Sequence, residues 1–255
     1  MQNTFLDILQ ENAFSHPKIE ETKLRELYFE HFPNKDEALF FWDLQNWKED
    51  KLLQVLENTY YKIRRIFSPS PSSLALEIHQ NLIKHYDLGQ YCFIESTWYN
   101  QFSRHQSPQN LHIIELEKEI CESVFYHLKE EGYQDIFLLL EKEDNVMLER
   151  YAFEAQNPII IQKIVSKAPT QKSLSQQGNI KIPYLEKMLV DLFADENLFT
   201  AYQNAEQNTI IENMLLDYVI DFTKLFAYAQ RRRKEKDLKQ YLFENFAEEI
   251  NQITL

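Results

Sequence analysis

The sequence predicts a mixed α/β (α+β) protein: an N-terminal winged helix-turn-helix over residues 1–67, then a small α/β sheet domain with a helical C-terminal part. Three observations predict it. Helix-spaced apolar residues recur three times before two short β-prone runs, all within roughly the first 60 residues, which is the order of a winged helix. Four short apolar runs then alternate with helical stretches, the signature of a small sheet covered by helices. Beyond residue 183 nearly every apolar pattern has the helical period. With 44% hydrophobic and 14% aromatic residues, three Gly and eight Pro in 255 residues, the composition argues for a packed, helix-rich core and against a disordered chain.

In order, residues 3–13 read as a short helix with Phe5, Ile8 and Leu9 apolar, and Ser15-His-Pro-Lys breaks it. A second helix runs from Glu20 to Phe32, with Leu24, Leu27, Tyr28 and His31 on one side. Pro33 to Asp36 is a turn, and Asp36 is placed to cap a third helix reaching about Lys48. That helix carries Leu39, Phe40, Trp42, Leu44 and Trp47, of which Leu39, Trp42 and Leu44 are expected to pack together with Tyr61. Lys51 to Ile63 holds two β-prone runs around Glu57-Asn58-Thr59, a hairpin turn.

Ser68-Pro-Ser-Pro-Ser-Ser73 separates two differently patterned regions and is expected to be the linker, 68–73, between domain 1–67 and domain 74–255. Ser70 with Pro71 is expected to start the next helix, whose stripe is Leu74, Ile78 and Leu82. The α/β part, 74–169, has strands at Tyr91–Ile94, Leu111–Leu116, Asp135–Leu140 and Pro158–Ile164. Between them lie a helix from Trp98 capped by Ser96-Thr97, a helix from Glu117 to Glu131 stopped by Gly132, and a short helix through Tyr151 and Phe153. The inward residues of the second are Ile120, Cys121, Val124 and Leu128. Gln171 to Lys181, with Ser173, Ser175, Gln176, Gln177 and Gly178, reads as an exposed loop. The helical part, 183–252, reads as helices over 183–195, 196–206, 208–230 and 235–250. In the first, Pro183 fits the opening turn, Leu185, Met188, Leu189, Leu192 and Phe193 make the apolar face, and Asp191 and Asp195 belong to the wet side. In the third, Met214, Leu215, Tyr218, Val219, Phe222, Leu225 and Phe226 form a broad core stripe.

The net charge of −13 opposes non-specific nucleic-acid binding, so any DNA contact must use a local basic face. An acidic chain equally suits a basic protein partner. No apolar run is long enough to span a bilayer and no signal peptide is seen at the N-terminus, so a soluble cytoplasmic protein without a membrane partner is expected. Cys92 and Cys121 stand alone inside apolar stretches and read as buried thiols.

Candidate chemistry is sparse. A nuclease of the restriction type needs an acid on one strand and Glu-x-Lys or Asp-x-Lys on the next to hold Mg²⁺ and activate water. No such tripeptide lies between Pro71 and Val165. Glu115, Glu117, Lys118, Asp135, Glu141 and Lys142 leave a metal-dependent nuclease as an alternative in another arrangement, though acids at strand ends and in a helix first turn need no catalytic role. The seven His show no zinc spacing, His79 and His85 being six apart, and there is no phosphate loop or nucleophile elbow. No catalytic residue, metal or cofactor is expected. Arg231-Arg-Arg-Lys-Glu-Lys236 is the one strongly basic run. It suits a helix C-terminus, and also contact with phosphate or an acidic partner.

Several phrases carry a resemblance. Phe41-Trp42-Asp43-Leu44, Leu52-Leu53 and Thr59-Tyr60-Tyr61-Lys62-Ile63 look like the N-terminal winged helix of Bacteroidetes AbiEi-like proteins. Pro158 to Pro169, Leu185-Glu-Lys-Met-Leu-Val-Asp191 and Ala227-Tyr-Ala-Gln-Arg-Arg-Arg-Lys234 with Leu238 and Tyr241-Leu242 resemble the C-terminal domain of AbiEi-type antitoxins, regulators of type IV (abortive-infection) toxin–antitoxin pairs. The resemblance implies a transcriptional regulator that binds promoter DNA through its winged helix and opposes a nucleotidyltransferase toxin in phage defence, without requiring a stable complex with it. The toxin's own Gly-Ser plus paired-Asp signature is missing. DNA contact is then expected from Lys35, Lys48, Lys51, Lys62, Arg64 and Arg65, with Arg231, Arg232 and Arg233. Members of that group carry a basic residue in the third helix and a basic, Gly-rich wing. This chain has Asp43 and Glu57-Asn58-Thr59 there, which implies weak binding, or a winged helix kept as a protein-interaction module.

Overall fold

A computed structural model describes residues 4–57, 59–141, 145–173 and 179–254. The chain divides into two compact units. The first gathers residues up to Phe67, Leu215–Val219 and the stretch from Phe246; the second takes Ser68–Met214 and Ile220–Asn245.

The first unit runs α1 (Phe5–Ser15), β1 (Lys18–Glu20), α2 (Glu21–His31), α3 (Glu37–Glu49), β2 (Leu53–Glu57) and β3 (Tyr60–Ile63). Thr4 opens α1 with a reciprocal cap: its hydroxyl accepts from the Asp7 amide while the Asp7 carboxylate accepts from the Thr4 amide. Asp36 caps α3 as expected, accepting from the Leu39 amide. The strands form an antiparallel sheet in the order β1-β3-β2. β1 falls in the region read as a simple break, because a three-residue strand has too few positions to show a period. The core is aromatic: Phe5 stacks on Trp47 at 5.2 Å and meets the Tyr28 edge at 5.5 Å, with Phe40 against Tyr28.

The expected inward set on α3 needs correction. Phe40, Leu44 and Trp47 are buried, at spacings of four and three, whereas Leu39 and Trp42 face solvent with Phe41. Seven of the first eleven helical residues of α3 are apolar, so the period is blurred and sequence alone misassigns the face.

The unit is closed by chain from far away. Arg65 donates its amide to the Asp217 carbonyl at 2.8 Å, and the Val219 amide returns to the Arg65 carbonyl at 2.9 Å. The stretch expected as one helix over 208–230 therefore breaks: α8 (Ala205–Asp217) ends, 218–221 is extended or bridged, and α9 (Phe222–Arg231) restarts with Asp221 as its cap.

In the second unit, α4 (Ser73–His85) is capped by Ser72, not Ser70, and Pro71 precedes it. The sheet has the order β4-β5-β7-β6, from β4 (Tyr91–Glu95), β5 (His112–Leu116), β6 (Ile136–Leu139) and β7 (Ile159–Lys163). β5, β7 and β6 are parallel and β4 is antiparallel to β5. β4 and β5 are buried at every position, which is why they read as largely apolar runs. Ser96 begins a 3-10 helix, Ser96–Gln101, instead of capping an α-helix at Trp98. α5 (Lys118–Glu130) buries Cys121, Val124 and Leu128 and ends at Gly132, whose φ of +90° suits glycine. α6 (Asn145–Arg150) follows β6.

The segment expected as a loop is bounded by a hairpin, β8 (Thr170–Lys172) against β9 (Lys181–Pro183). Ser173 is buried, and Ser175, Gln176, Gln177 and Gly178 lie outside the described residues, as do Asn58 at the β2–β3 turn and Lys142. Pro183 ends a strand instead of opening a helix, and α7 (Leu185–Ala194) starts after Tyr184. Only a 3-10 turn, Thr200–Tyr202, represents the helix expected over 196–206. α10 (Glu235–Thr254) kinks at Phe246, where the units change. No described helix is long and apolar enough to cross a membrane.

Candidate functional site

Asp191 was expected to face water, and it does not: it is 3% exposed. It belongs to a charge cluster enclosed in the second unit. The Lys187 ammonium, fully buried on α7, donates to Asp191 one turn on and lies 2.8 Å from Glu115 Oε2 on β5. Tyr228 of α9 donates to Asp191 Oδ1 at 2.9 Å. Arg232 lies 3.4 Å from Asp191 and 2.6 Å from Asp195. On the sheet, Gln162 of β7 donates to Glu115 Oε1 at 3.1 Å.

The electrostatics follow from enclosure. Burial pushes the Glu115 carboxyl up, against the pull of Lys187. Burial alone would neutralise Lys187, but Asp191 and Glu115 outweigh it and hold the ammonium above its ordinary range. Burial likewise raises Asp195, opposed by Arg232. Lys187, Glu115 and Asp191 are all closed to solvent. The cluster joins α7 to β5 and α9 through Lys187–Glu115 and Tyr228–Asp191.

The nuclease candidates are not assembled. Glu115 is consumed by Lys187, while Glu117, Lys118, Asp135 and Glu141 are exposed. Among the described residues no group of three or more His, Cys, Asp and Glu can hold a metal. His79 donates to, or accepts from, the Tyr91 hydroxyl at 2.9 Å, and His85 packs on His127 at 4.7 Å. Cys92 and Cys121 are buried free thiols, and burial pushes Cys121 up to about 11.

The cations expected to meet phosphate are dispersed among structural tasks. Arg64 is buried at 1% exposure, and its guanidinium holds the carbonyls of Leu215, at 2.6 Å, and Tyr218. Lys62 and Arg65 both reach the Asp217 carboxylate, at 2.8 and 3.4 Å, and Arg65 lies over the Tyr218 ring. Lys35 sits 2.8 Å from Asp43, which also accepts from the Tyr28 hydroxyl at 2.5 Å. Lys48 lies over the Tyr61 ring, and Lys51 is half-buried at a φ of +59°. In the second unit Arg232 is committed to the cluster, Arg231 donates to the Lys167 carbonyl, and Arg233 is exposed at the end of α9 with a φ of +58°.

The exposed surface of the first unit has a different character. On α3, Leu39, Phe41 and Trp42 are exposed, at 45%, 52% and 63%. Glu37 lies at one end and Glu49 with Asp50 at the other, all exposed. On the hairpin, Val55, Leu56 and Tyr60 are exposed as well.

A family model described as "Family of unknown function (DUF6577)" matches residues 39–248. The chain belongs to this family. The match begins inside α3 and ends in α10, so family membership takes in α3, β2 and β3 together with the whole second unit, including every member of the charge cluster. No curated protein matches the chain.

Sequence reasoning missed Lys187, Gln162 and Tyr228. A signal for the first existed: Lys187 and Asp191 are a four-spaced charge pair inside an apolar run, and Glu115 interrupts an apolar strand.

Proposed function

We propose that the chain is an antitoxin-like regulator of a type IV toxin–antitoxin operon. In this reading the first unit is a winged helix that serves mainly as a protein-interaction module and keeps only weak affinity for DNA. The observation that carries it is the topology of that unit: helix, strand, two helices and a hairpin, with the first strand beside the last in an antiparallel sheet. In such folds the third helix is the reading helix. Here that helix turns Leu39, Phe41 and Trp42 outward between acidic ends, which favours a protein over phosphate. The phrases resembling AbiEi-type antitoxins support the same reading and name a nucleotidyltransferase toxin as the functional partner.

The test is co-expression with the nucleotidyltransferase of the same operon. Rescue of growth from the toxin supports the reading. Absence of rescue, or of any such gene beside this one, overturns it. Mg²⁺- or Mn²⁺-dependent cleavage of nucleic acid lost in Glu115→Ala would promote the nuclease alternative instead.

A further inference from the structure

We infer that the outward face of α3 docks a basic, apolar segment of another protein. The inference deepens the interaction-module reading above by naming its surface and the chemistry of its partner.

The stripe Ala38, Phe41, Trp42, Gln45 and Glu49 follows the spacing of one helical face, opposite buried Phe40, Leu44 and Trp47. Two large aromatics at its centre are more than half exposed, where an ordinary surface helix carries polar groups. The core does not need them, since Tyr28 and Trp47 fill the interior.

The charge around the stripe selects the occupant. Exposed Glu49 and Asp50 stand at its C-terminal end, while Glu37 at the other end is paired with Arg25. Of the cations nearby, Arg25 is paired with Glu37 and Lys35 with Asp43, while Lys48 lies over the Tyr61 ring and Lys51 is half-buried. An apolar centre with an acidic rim is complementary to an apolar segment flanked by Lys or Arg. A second copy brings the same acidic rim and a charge of −13, and duplex DNA brings phosphate; both are repelled.

Trp42 supplies a direct readout, because Trp47 and Trp98 are only 9% and 8% exposed. The full-length protein is titrated with a short amphipathic helical peptide of Leu and Lys, with its Leu/Glu counterpart as control. The expected result is a blue shift of Trp42 emission and protection from acrylamide by the Lys peptide only. The shift disappears in Trp42→Phe, and affinity falls about tenfold in Phe41→Ser, as for an interface anchor. Glu49→Lys/Asp50→Lys weakens binding and flattens its salt dependence. Equal response to both peptides, or none, overturns the inference. So does self-association in sedimentation that Trp42→Glu abolishes, or a Trp42 response to duplex DNA in place of the peptide. Toxin rescue without a Trp42 response would remove this surface and leave the antitoxin reading standing. A Trp42 response without rescue would do the reverse.

Discussion

Each unit buries a cation, and the two are neutralised in opposite ways. Arg64 in the first unit meets backbone: it donates to two carbonyls at the end of α8, and among the described residues its Nε has no hydrogen-bond partner and Asp217 is the carboxylate that acts on it. Lys187 in the second unit meets side chains, Asp191 and Glu115. Their proton affinities diverge accordingly. Burial pulls Arg64 down to about 10, while the two carboxylates hold Lys187 above its ordinary range against the same effect. A cation that serves carbonyls pins the path of a distant chain segment. A cation that serves carboxylates joins packed elements.

The largest effect is expected at Lys187. Lys187→Met strands the Glu115 charge in the interior and should cost about 3–5 kcal/mol in urea unfolding. Adding Glu115→Leu should recover much of that loss, because Asp191 keeps Tyr228 and Arg232. A harmless Lys187→Met would break this half of the comparison.

Arg64→Met should cost a comparable amount, about 1–3 kcal/mol for each of the two carbonyls left unpaired. Its signature is local: the amides of Arg65 and Val219, which close the bridge to the 215–219 segment, should exchange faster with solvent while those of β5 and β7 do not. Uniform acceleration across both units would contradict the separation.

The smallest effect is set by pH. Burial depresses His79, and His112 too despite Glu95. A depressed imidazole contributes stability above its unfolded value of 6.5 that is lost as pH falls through the lower folded value. The second unit should therefore soften below pH 6.5, and His79→Gln should reduce that softening. An unchanged acid profile in the variant would exclude His79 as a source.

The sheet of the second unit was legible because β4, β5 and the start of β7 are buried on both faces and read as largely apolar runs, Glu115 being the interruption. The third helix was legible in extent, through its Asp36 cap, and illegible in orientation, because Leu39, Phe41 and Trp42 are as apolar as the residues it buries. Asp191 misled for the opposite reason: an acid reads as wet unless its partners are known, and Lys187, Tyr228 and Arg232 come from two helices, with Glu115 on a strand. The pairing of the expected cations was illegible because position along the chain says nothing of pairing. Arg64 and Arg65 follow the last strand as a phosphate clamp would, but meet the 215–219 segment, which sequence order places far away.

The claim that the third helix faces protein and not phosphate is tested most directly by DNA titration. Fluorescence anisotropy is measured on labelled duplex from the upstream region at two salt concentrations, for wild type and Lys48→Glu/Lys51→Glu. Affinity is expected to be no better than about micromolar at physiological salt, within the non-specific range, with a salt slope reduced by about 0.9 for each cation that does touch phosphate. Nanomolar binding that Phe41→Ser or Trp42→Ser abolishes would contradict it and return the third helix to the DNA groove.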